Sequence, residues 1–220
     1  MGNIRVIITG ASGMVGEGVL YECLLSPDVE KVLVVGRRSC GVHHSKLTEI
    51  VHKDFFDLSS IESQLAGYNS CFFCLGVSSV GMNKPEYEKM TYELTLNFAK
   101  TLAKVNSDLT FCYISGAGTD SSEKGRSHWA RVKGKTENDL QKLGFKQTFL
   151  FRPGILKPTP GLNNTLGFYK WAGWLIPLIE TLAPNHITSL AELGKAMIHA
   201  MHKGYDKNII EVKDIKALSK

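Results

Sequence analysis

The chain has 220 residues, of which 43% are apolar and 21% are charged, and its formal net charge is +5. This balance is ordinary for a folded globular protein, and it excludes a disordered or low-complexity chain. The excess of positive charge is too small to indicate nucleic-acid binding by itself.

The chain begins with a run of β-branched residues, Ile4 to Ile8, that predicts a buried strand. Gly10, Gly13 and Gly16 follow in a Gly-x-x-Gly-x-x-Gly spacing, and a helical pattern begins near Met14. The first N–H groups of a helix have no partner within the helix and carry partial positive charge. Glycines let a pyrophosphate approach such a backbone closely. This stretch therefore predicts a dinucleotide-binding loop, against the alternative of a plain strand–helix turn.

Strand and helix patterns then alternate along most of the chain. The predicted strands cover residues 31–35, 47–52, 70–75, 109–114 and 147–151, and the predicted helices cover 15–25, 59–65, 84–105 and 127–143. Residues 155–164 are predicted to be a loop, followed by a helix, a further helix at 189–202 and a last strand at 208–212. The alternation predicts an α/β fold, a Rossmann-type doubly wound parallel sheet with helices on both faces. We expect one domain over residues 1–220, with a small substrate-side segment at about 155–190.

The end of the second strand indicates which dinucleotide binds. NAD sites of this class place a carboxylate there, on the ribose 2′-hydroxyl, whereas this strand ends in Gly36-Arg37-Arg38-Ser39. A carboxylate would repel a 2′-phosphate, and arginine forms bidentate, charge-assisted hydrogen bonds to it. We therefore predict NADP rather than NAD, with Arg37 as the first contact and Arg38 as the second. The alternative is a pair of solvated surface arginines.

The cysteines indicate the compartment. There are five, an odd number, and several fall in apolar strand-like runs, which is typical of free thiols in the reducing cytosol. The first apolar run is too short for a signal peptide, and we predict a cytoplasmic protein. Cys71 and Cys74 have the spacing of a metal or redox motif, but residues three apart on a strand point to opposite faces. We therefore expect core thiols and no metal site.

The most hydrophobic later segment, residues 166–183, is about as long as a membrane span. Lys170, Pro177 and Glu180 interrupt it, so we predict a helix that packs on the domain or on another subunit, and no membrane span. The basic residues between 124 and 135 do not fall on one helical stripe, and no aromatic platform accompanies them. We therefore expect no nucleic-acid partner.

Five motifs form a recognisable set, namely Thr9-Gly10-x-x-Gly13-x-x-Gly16, Cys74-Leu75-Gly76, Trp129-x-x-x-Lys133, Val132-Lys133-Gly134 and Phe151-Arg152-Pro153-Gly154. With this set the chain resembles the short-chain dehydrogenase/reductase superfamily in its extended or atypical branch. More closely, it is similar to the small Tat-interacting oxidoreductase-like and NmrA-like NAD(P)-binding proteins. The resemblance covers nearly the whole chain.

The resemblance implies roles for the matching positions along the strand ends. The pyrophosphate would lie on the glycine loop, the adenine and one ribose after the third and fourth strands, and the nicotinamide near the fifth and sixth. The residues implied are Gly10, Ser12, Gly13, Met14, Val15 and Gly16 for the pyrophosphate, Asp54 and Phe55 for the adenine, Leu75, Gly76 and Val77 for the ribose, Lys133 for the nicotinamide ribose, and Pro153, Gly154 and Ile155 for the nicotinamide face.

The chain departs from the family at the catalytic position. The family's proton donor is a tyrosine four residues before the lysine, on the same face of the helix, and here Trp129 stands in that position. An indole N–H donates a hydrogen bond but is no useful acid near neutral pH. The family's catalytic serine is replaced by Gly116, so that Ser115, one residue earlier, or Thr119 would have to supply the hydroxyl. His128 lies about 100° around the helix from Trp129.

Two functions stay open on this sequence. The first is an NADP-dependent oxidoreductase or epimerase-like enzyme with a modified site, in which Lys133, Ser115 and Trp129 handle the substrate. The second is a non-catalytic NADP(H)-binding sensor or regulator that acts through a protein partner. The family places its substrate cover at residues 162–183, and the aromatic content of this segment favours an apolar or aromatic substrate or a dimer contact. The helix that carries Trp129 is a usual dimer surface in the superfamily, which leaves a homodimer open.

Overall fold

The computed structural model describes residues 3–164, 176 and 181–220. The strands in this part of the chain are β1 (Ile4–Thr9), β2 (Val29–Gly36), β3 (Leu47–Val51), β4 (Ser70–Phe73), β5 (Thr110–Ile114), β6 (Gln147–Arg152), β7 (Ile155–Lys157), β8 (Ile187–Ser189) and β9 (Ile209–Glu211). Seven of them form a parallel sheet in the order β3-β2-β1-β4-β5-β6-β9. The remaining two, β7 and β8, pair in parallel with each other.

Helices cover both faces of the sheet, which confirms the predicted fold class. They are α1 (Met14–Leu25), α2 (Lys84–Glu88), α3 (Leu94–Val105), α4 (His128–Leu140), α5 (Leu190–Lys203) and α6 (Val212–Leu218). A π-helical turn, Lys89–Glu93, joins α2 to α3, and a 3₁₀ helix, Glu62–Leu65, precedes β4. Helices α1, α5 and α6 pack on one face, and α3 and α4 pack on the other.

The central strand shows how the sequence builds these two layers. Val6 and Ile8 point into the core under α1 and α5, where they join Val19, while Ile7 points into the opposite core and joins Phe98 of α3. All five side chains are fully buried. Because successive strand residues point to opposite faces and both faces are covered, the strand is a continuous apolar run rather than an alternating one.

The two cysteines of the Cys-x-x-Cys spacing lie on opposite faces, as predicted. Cys71 belongs to the core under α3, whereas Cys74 packs against the core under α1. Burial raises the pKa of the Cys71 thiol, so this side chain stays a neutral part of the core.

The strand order places a crevice beside β1. From β1 the chain continues to β2 and β3 on one side, and from β3 it crosses back to β4 on the other side of β1, so the direction of the strand order reverses beside β1. Ligands of open α/β sheets bind at such a switch point, outside the carboxyl ends of the strands. The glycine loop follows β1 directly and therefore lies in this crevice.

Some elements differ from the predicted ones. Residues 155–157 form β7 instead of a loop, and α6 follows the last strand where no helix was predicted. Three-residue strands and a seven-residue helix are too short to show a clear period in the sequence. The predicted helix at 166–183 falls mainly on residues 165–175 and 177–180, which lie outside the described residues. Within the part that is described, no helix is both long and apolar enough to cross a bilayer.

Candidate functional site

The glycine loop is built by two close backbone contacts. Gly10 has φ of +73°, and a Cβ there would stand 2.7 Å from the carbonyl oxygen of Cys74. A Cβ on Gly16 would stand 2.2 Å from the carbonyl oxygen of Gly10. Only glycine fits at either position, because side-chain carbons do not approach oxygen this closely. The loop is thereby pressed against the end of β4 and against the first turn of α1.

Hydrogen bonds hold this loop in place. The N–H of Gly13 donates to the carbonyl of Gly10 (2.9 Å), and the N–H of Leu75 donates to Oγ1 of Thr9 (3.2 Å). The second bond joins the loops after β1 and β4. The exposed N-terminus of α1 therefore faces the crevice at the switch point, in the arrangement that favours an anion.

A cavity of about 600 Å³ lies beside the glycine loop. It is lined by Gly10, Ser12, Gly36, Arg37, Arg38, Lys53, Phe55 and Leu75. Its size is within the range of small-molecule sites, and most of its lining belongs to the set implied by the sequence. Gly36 and Lys53 do not belong to that set.

Within the described part of the chain, the positive side chains of this cavity have no carboxylate partner. A guanidinium nitrogen of Arg38 donates to the carbonyl of Ser12 (3.1 Å), which ties the end of β2 to the glycine loop. Arg37 and Lys53 form no hydrogen bond or ion pair with any residue in the described part of the chain. No carboxylate is among the described lining residues. The electrostatic potential at this end of the cavity is therefore positive, which favours the binding of an anion.

The other residues expected near the adenine and ribose have different environments. Phe55 is buried, and its ring lies 5.6 Å from that of Phe98. The carboxylate of Asp54 accepts the N–H of Phe56 (2.8 Å) and so stabilises the turn after β3. Several other positions predicted around this part of the cofactor are not among the cavity's lining residues, and one of them, Met14, is part of the core. They are Gly13, Met14, Val15, Gly16, Asp54, Gly76 and Val77.

A second group of predicted residues meets where β5 and β6 end. The ammonium of Lys133, on α4, donates to the carbonyl of Ser115. The N–H of Ser115 donates to Phe151 (2.9 Å), and that of Ala117 donates to Pro153 (2.8 Å). The structure therefore brings Lys133, Ser115 and Pro153 together. Burial lowers the pKa of Lys133 to about 8, although the nearby carboxylate of Glu137 acts in the opposite direction.

Trp129 lies at the same edge of the sheet. Its ring packs against the backbone of Gly118, where a Cβ would be 3.5 Å from the indole. Neighbouring His128 points elsewhere and packs edge-on against Tyr87, with 6.1 Å between ring centroids. The hydroxyl of Thr119 donates to the carbonyl of Gly116 (2.7 Å). Neither His128 nor Thr119 is therefore placed to replace a tyrosine at position 129 as a proton donor.

A buried ion pair, which the sequence reasoning missed, lies behind this edge. Glu137 is fully buried, and its carboxylate accepts hydrogen bonds from the guanidinium of Arg152 and from the hydroxyl of Ser115, the latter at 2.5 Å. Arg152 also donates to the hydroxyl of Ser121 (2.5 Å) and lies 3.4 Å from Glu211. The sequence offers a partial signal, because Glu137 follows Lys133 by four residues and so shares the face of α4 that carries Lys133.

The loop after β6 packs tightly against the second, two-stranded sheet. A Cβ on Gly154 would stand 2.2 Å from the carbonyl oxygen of His186. The next residue, Ile155, pairs with Ile187 and is 42% exposed. The backbone of Pro153 to Ile155, the residues predicted to border the nicotinamide, is therefore fixed by its contacts with residues 186 and 187.

Comparisons with known proteins agree with this architecture. No protein-family model matches the chain. The chain is 30% identical over 162 residues to the mitochondrial protein fmp52 of Emericella nidulans, covering 71% of this chain and 67% of that protein. It is 29% identical to the protein HTATIP2 of Rattus norvegicus, covering 91% and 87%. The enzyme WbmF of Bordetella bronchiseptica, solved with NAD⁺, has the same fold, with a TM-score of 0.68 at 14% identity over 99% of this chain and 77% of that one.

The Emericella relative is named as a mitochondrial protein, and other FMP52 relatives carry the same designation. The prediction of a cytoplasmic location is therefore wrong. Free thiols indicate a reducing environment, but they do not distinguish the cytosol from other reducing compartments. The resemblance deduced from the motifs is confirmed by these relatives and by the shared fold: the chain belongs to the extended, atypical branch of the short-chain dehydrogenase/reductase superfamily.

Proposed function

We propose that the chain binds NADP(H) in the crevice beside β1 and acts as an oxidoreductase or epimerase-like enzyme with a modified active site. One observation carries the cofactor assignment. Arg37, Arg38 and Lys53 line the same cavity, and no carboxylate is among its described lining residues. An NAD site needs a carboxylate for the ribose 2′-hydroxyl, whereas a 2′-phosphate needs cations.

The residues present fit such a cofactor. The glycine loop ends at the N-terminus of α1, where a pyrophosphate would accept hydrogen bonds from the first N–H groups of the helix. Phe55 lines the cavity and offers an apolar wall for an adenine. Lys133 would hold the nicotinamide ribose, and with a pKa of about 8 it is mostly protonated at pH 7 and donates hydrogen bonds. A bound nicotinamide supplies hydride transfer.

At the reacting end, Trp129 is the distinguishing residue. Its indole N–H can donate a hydrogen bond to a substrate oxygen, but it cannot deliver a proton at neutral pH. We infer that the protein acts on acceptors whose reduction does not require a strong protein acid, such as quinones, or takes the proton from water. The aromatic side chains between residues 162 and 183 support an apolar or aromatic substrate.

A second function is supported by the hydrogen bonding of Ser115. Its hydroxyl donates to Glu137 (2.5 Å) and is buried, and so it is not free to polarise a substrate carbonyl. Together with Trp129, this arrangement favours a non-catalytic protein that binds NADP(H) and signals through a protein partner. Both functions use the same cofactor site, but only the enzyme would turn over a substrate.

Binding titrations test the cofactor assignment. The wild-type chain should bind NADPH at least about tenfold more tightly than NADH, because a 2′-phosphate adds charge-assisted hydrogen bonds. Arg37→Glu should remove most of that preference by placing a carboxylate at the end of β2. Equal affinities for the two dinucleotides, or an unchanged ratio in Arg37→Glu, would show that the assignment is wrong.

Turnover separates the enzyme from the sensor. NADPH oxidation is followed against a panel of carbonyl compounds and quinones. Turnover that Lys133→Ala abolishes supports the enzyme. Tight NADPH binding without turnover, and without a gain of activity in Trp129→Tyr, supports the sensor.

The designation of the FMP52 relatives supports mitochondria as the place where either function is carried out. Fractionation of cells that make the protein tests this location.

A further inference from the structure

We propose that Lys53 is a specificity-determining residue, which binds the 2′-phosphate together with Arg37 and Arg38. This inference rests on the proposed NADP(H) function and adds a contact from a second strand end. Arg37 and Arg38 follow β2, whereas Lys53 follows β3, and all three side chains line the same cavity.

The backbone holds Lys53 beside the two arginines. The N–H of His52 donates to the carbonyl of Gly36 (2.8 Å), which joins the residue before Lys53 to the residue before Arg37. The imidazole Nε2 of His52 lies 2.7 Å from the carbonyl oxygens of both Asp54 and Asp57. These bonds anchor the turn on both sides of Lys53, so its position depends on the fold rather than on a free loop.

The charge of Lys53 is available for a ligand. Its two nearest carboxylates in the sequence are engaged locally, since Asp54 accepts the N–H of Phe56 (2.8 Å) and Asp57 accepts the N–H of Ser59 (3.0 Å). Lys53 itself forms no hydrogen bond or ion pair with any described residue. Three like charges around one cavity repel each other, and a phosphate dianion would relieve that repulsion.

Ammonium and guanidinium groups bind a phosphate in different ways. Arg37 can offer a planar fork to two phosphate oxygens, whereas Arg38 already donates one hydrogen bond to Ser12. The ammonium of Lys53 is a compact point charge on a flexible stem and can reach a third oxygen from the β3 side. The expected preference for NADPH therefore depends on two strand ends and not on β2 alone.

The test compares Lys53→Gln with Lys203→Gln as a matched control. Lys203 is also an exposed lysine, and it lies at the C-terminal end of α5. Helix α5 runs parallel to α1, with Leu190 beside Gly18 and Gly194 beside Glu22. Its C-terminus therefore lies at the opposite edge of the sheet from the cavity. Dissociation constants for NADPH and NADH are measured by calorimetric titration at low salt, after thermal melts confirm that both variants fold.

We expect Lys53→Gln to weaken NADPH binding about fivefold and NADH binding less than about twofold, as for one partly exposed charge pair. Lys203→Gln should change neither, and Lys53→Arg should keep the preference. Equal losses for both dinucleotides would overturn the inference, because Lys53 would then act on the shared pyrophosphate. It would also be overturned if Lys53→Gln left the preference intact while Arg37→Glu removed it, an outcome that leaves NADP(H) binding standing. A wild-type chain without preference for NADPH would overturn both.

Discussion

The buried carboxylate of Glu137 provides the sharpest test of the structure. Glu137→Gln keeps the shape of the side chain but removes its charge, and it leaves the guanidinium of Arg152 in the interior. Besides the neutral glutamine oxygen, the partners of Arg152 among the described residues would then be the hydroxyl of Ser121 and the partly exposed carboxylate of Glu211, at 3.4 Å. Removal of one partner of a buried ion pair is costly because the remaining charge is desolvated without compensation.

The expected loss in the free energy of unfolding is about 3 kcal/mol, the lower end of the range for broken buried pairs. Glutamine can still accept one hydrogen bond, which is why the lower end applies. A loss of this size is a large fraction of the stability of an ordinary domain, about 5–15 kcal/mol. With a urea dependence of about 3 kcal/mol per molar, the unfolding midpoint should fall by about 1 M.

The assay is equilibrium unfolding in urea, with Glu62→Gln as the control. Glu62 also forms an ion pair, with Lys104 at 2.7 Å, but the two side chains are 31% and 69% exposed. Its loss should cost less than about 1 kcal/mol. The double variant Glu137→Leu with Arg152→Met removes both buried charges and should cost less than the sum of the two single changes.

Two results would refute this reasoning. A loss in Glu137→Gln no larger than that in Glu62→Gln would show that the carboxylate is not buried with Arg152 in solution. Strict additivity in the double variant would show that the two groups do not interact, whatever the individual losses are.

The remaining predictions concern the glycine loop and the lysine on α4. Gly16→Ala should destabilise the fold by about 1–3 kcal/mol in thermal or urea unfolding, because its Cβ would meet the oxygen of Gly10 at 2.2 Å. Gly13→Ala has room, with its Cβ 3.5 Å from the same oxygen. Because Gly13 is the N-cap of α1, where alanine is less favourable than glycine, the variant should stay folded and lose less than about 1 kcal/mol. It should bind NADPH more weakly in titration, and unchanged binding would argue against a pyrophosphate there. For Lys133, the unfolded chain holds the proton up to about pH 10.5, whereas the folded chain releases it near pH 8. The free energy of unfolding should therefore rise with pH between these values, and urea titrations across this range should show that Lys133→Met lacks the rise.

Much of the fold could be predicted because the strands under both helix layers are continuous apolar runs. Ile4 to Ile8 is the clearest case, and the spacing of Gly10, Gly13 and Gly16 located the crevice beside it. The strands β7 and β8 could not be predicted, since three residues carry no recognisable period. The π-helical turn at Lys89–Glu93 could not be predicted either, because its sequence continues the helical pattern of the residues on both sides.

The candidate site was predicted less completely, and the reason lies in tertiary contacts. Arg37 and Arg38 could be identified from one strand end, whereas Lys53 reaches the cavity only because β3 pairs with β2. Glu137 was overlooked because an acidic residue on a helix is usually solvated. Its burial depends on Arg152, which comes from a strand later in the chain.

The bond between Thr9 and Leu75 joins residues 66 positions apart, and it has a consequence for how the protein is maintained in a cell. A loop shaped by two distant strand ends does not exist in the unfolded chain, so a dinucleotide can bind only the assembled sheet. By mass action, free ligand at one hundred times its dissociation constant would add about 2.7 kcal/mol to the stability of the fold. The supply of cofactor would then set how much of the chain survives proteolysis, and the amount of protein would follow the metabolic state of its compartment.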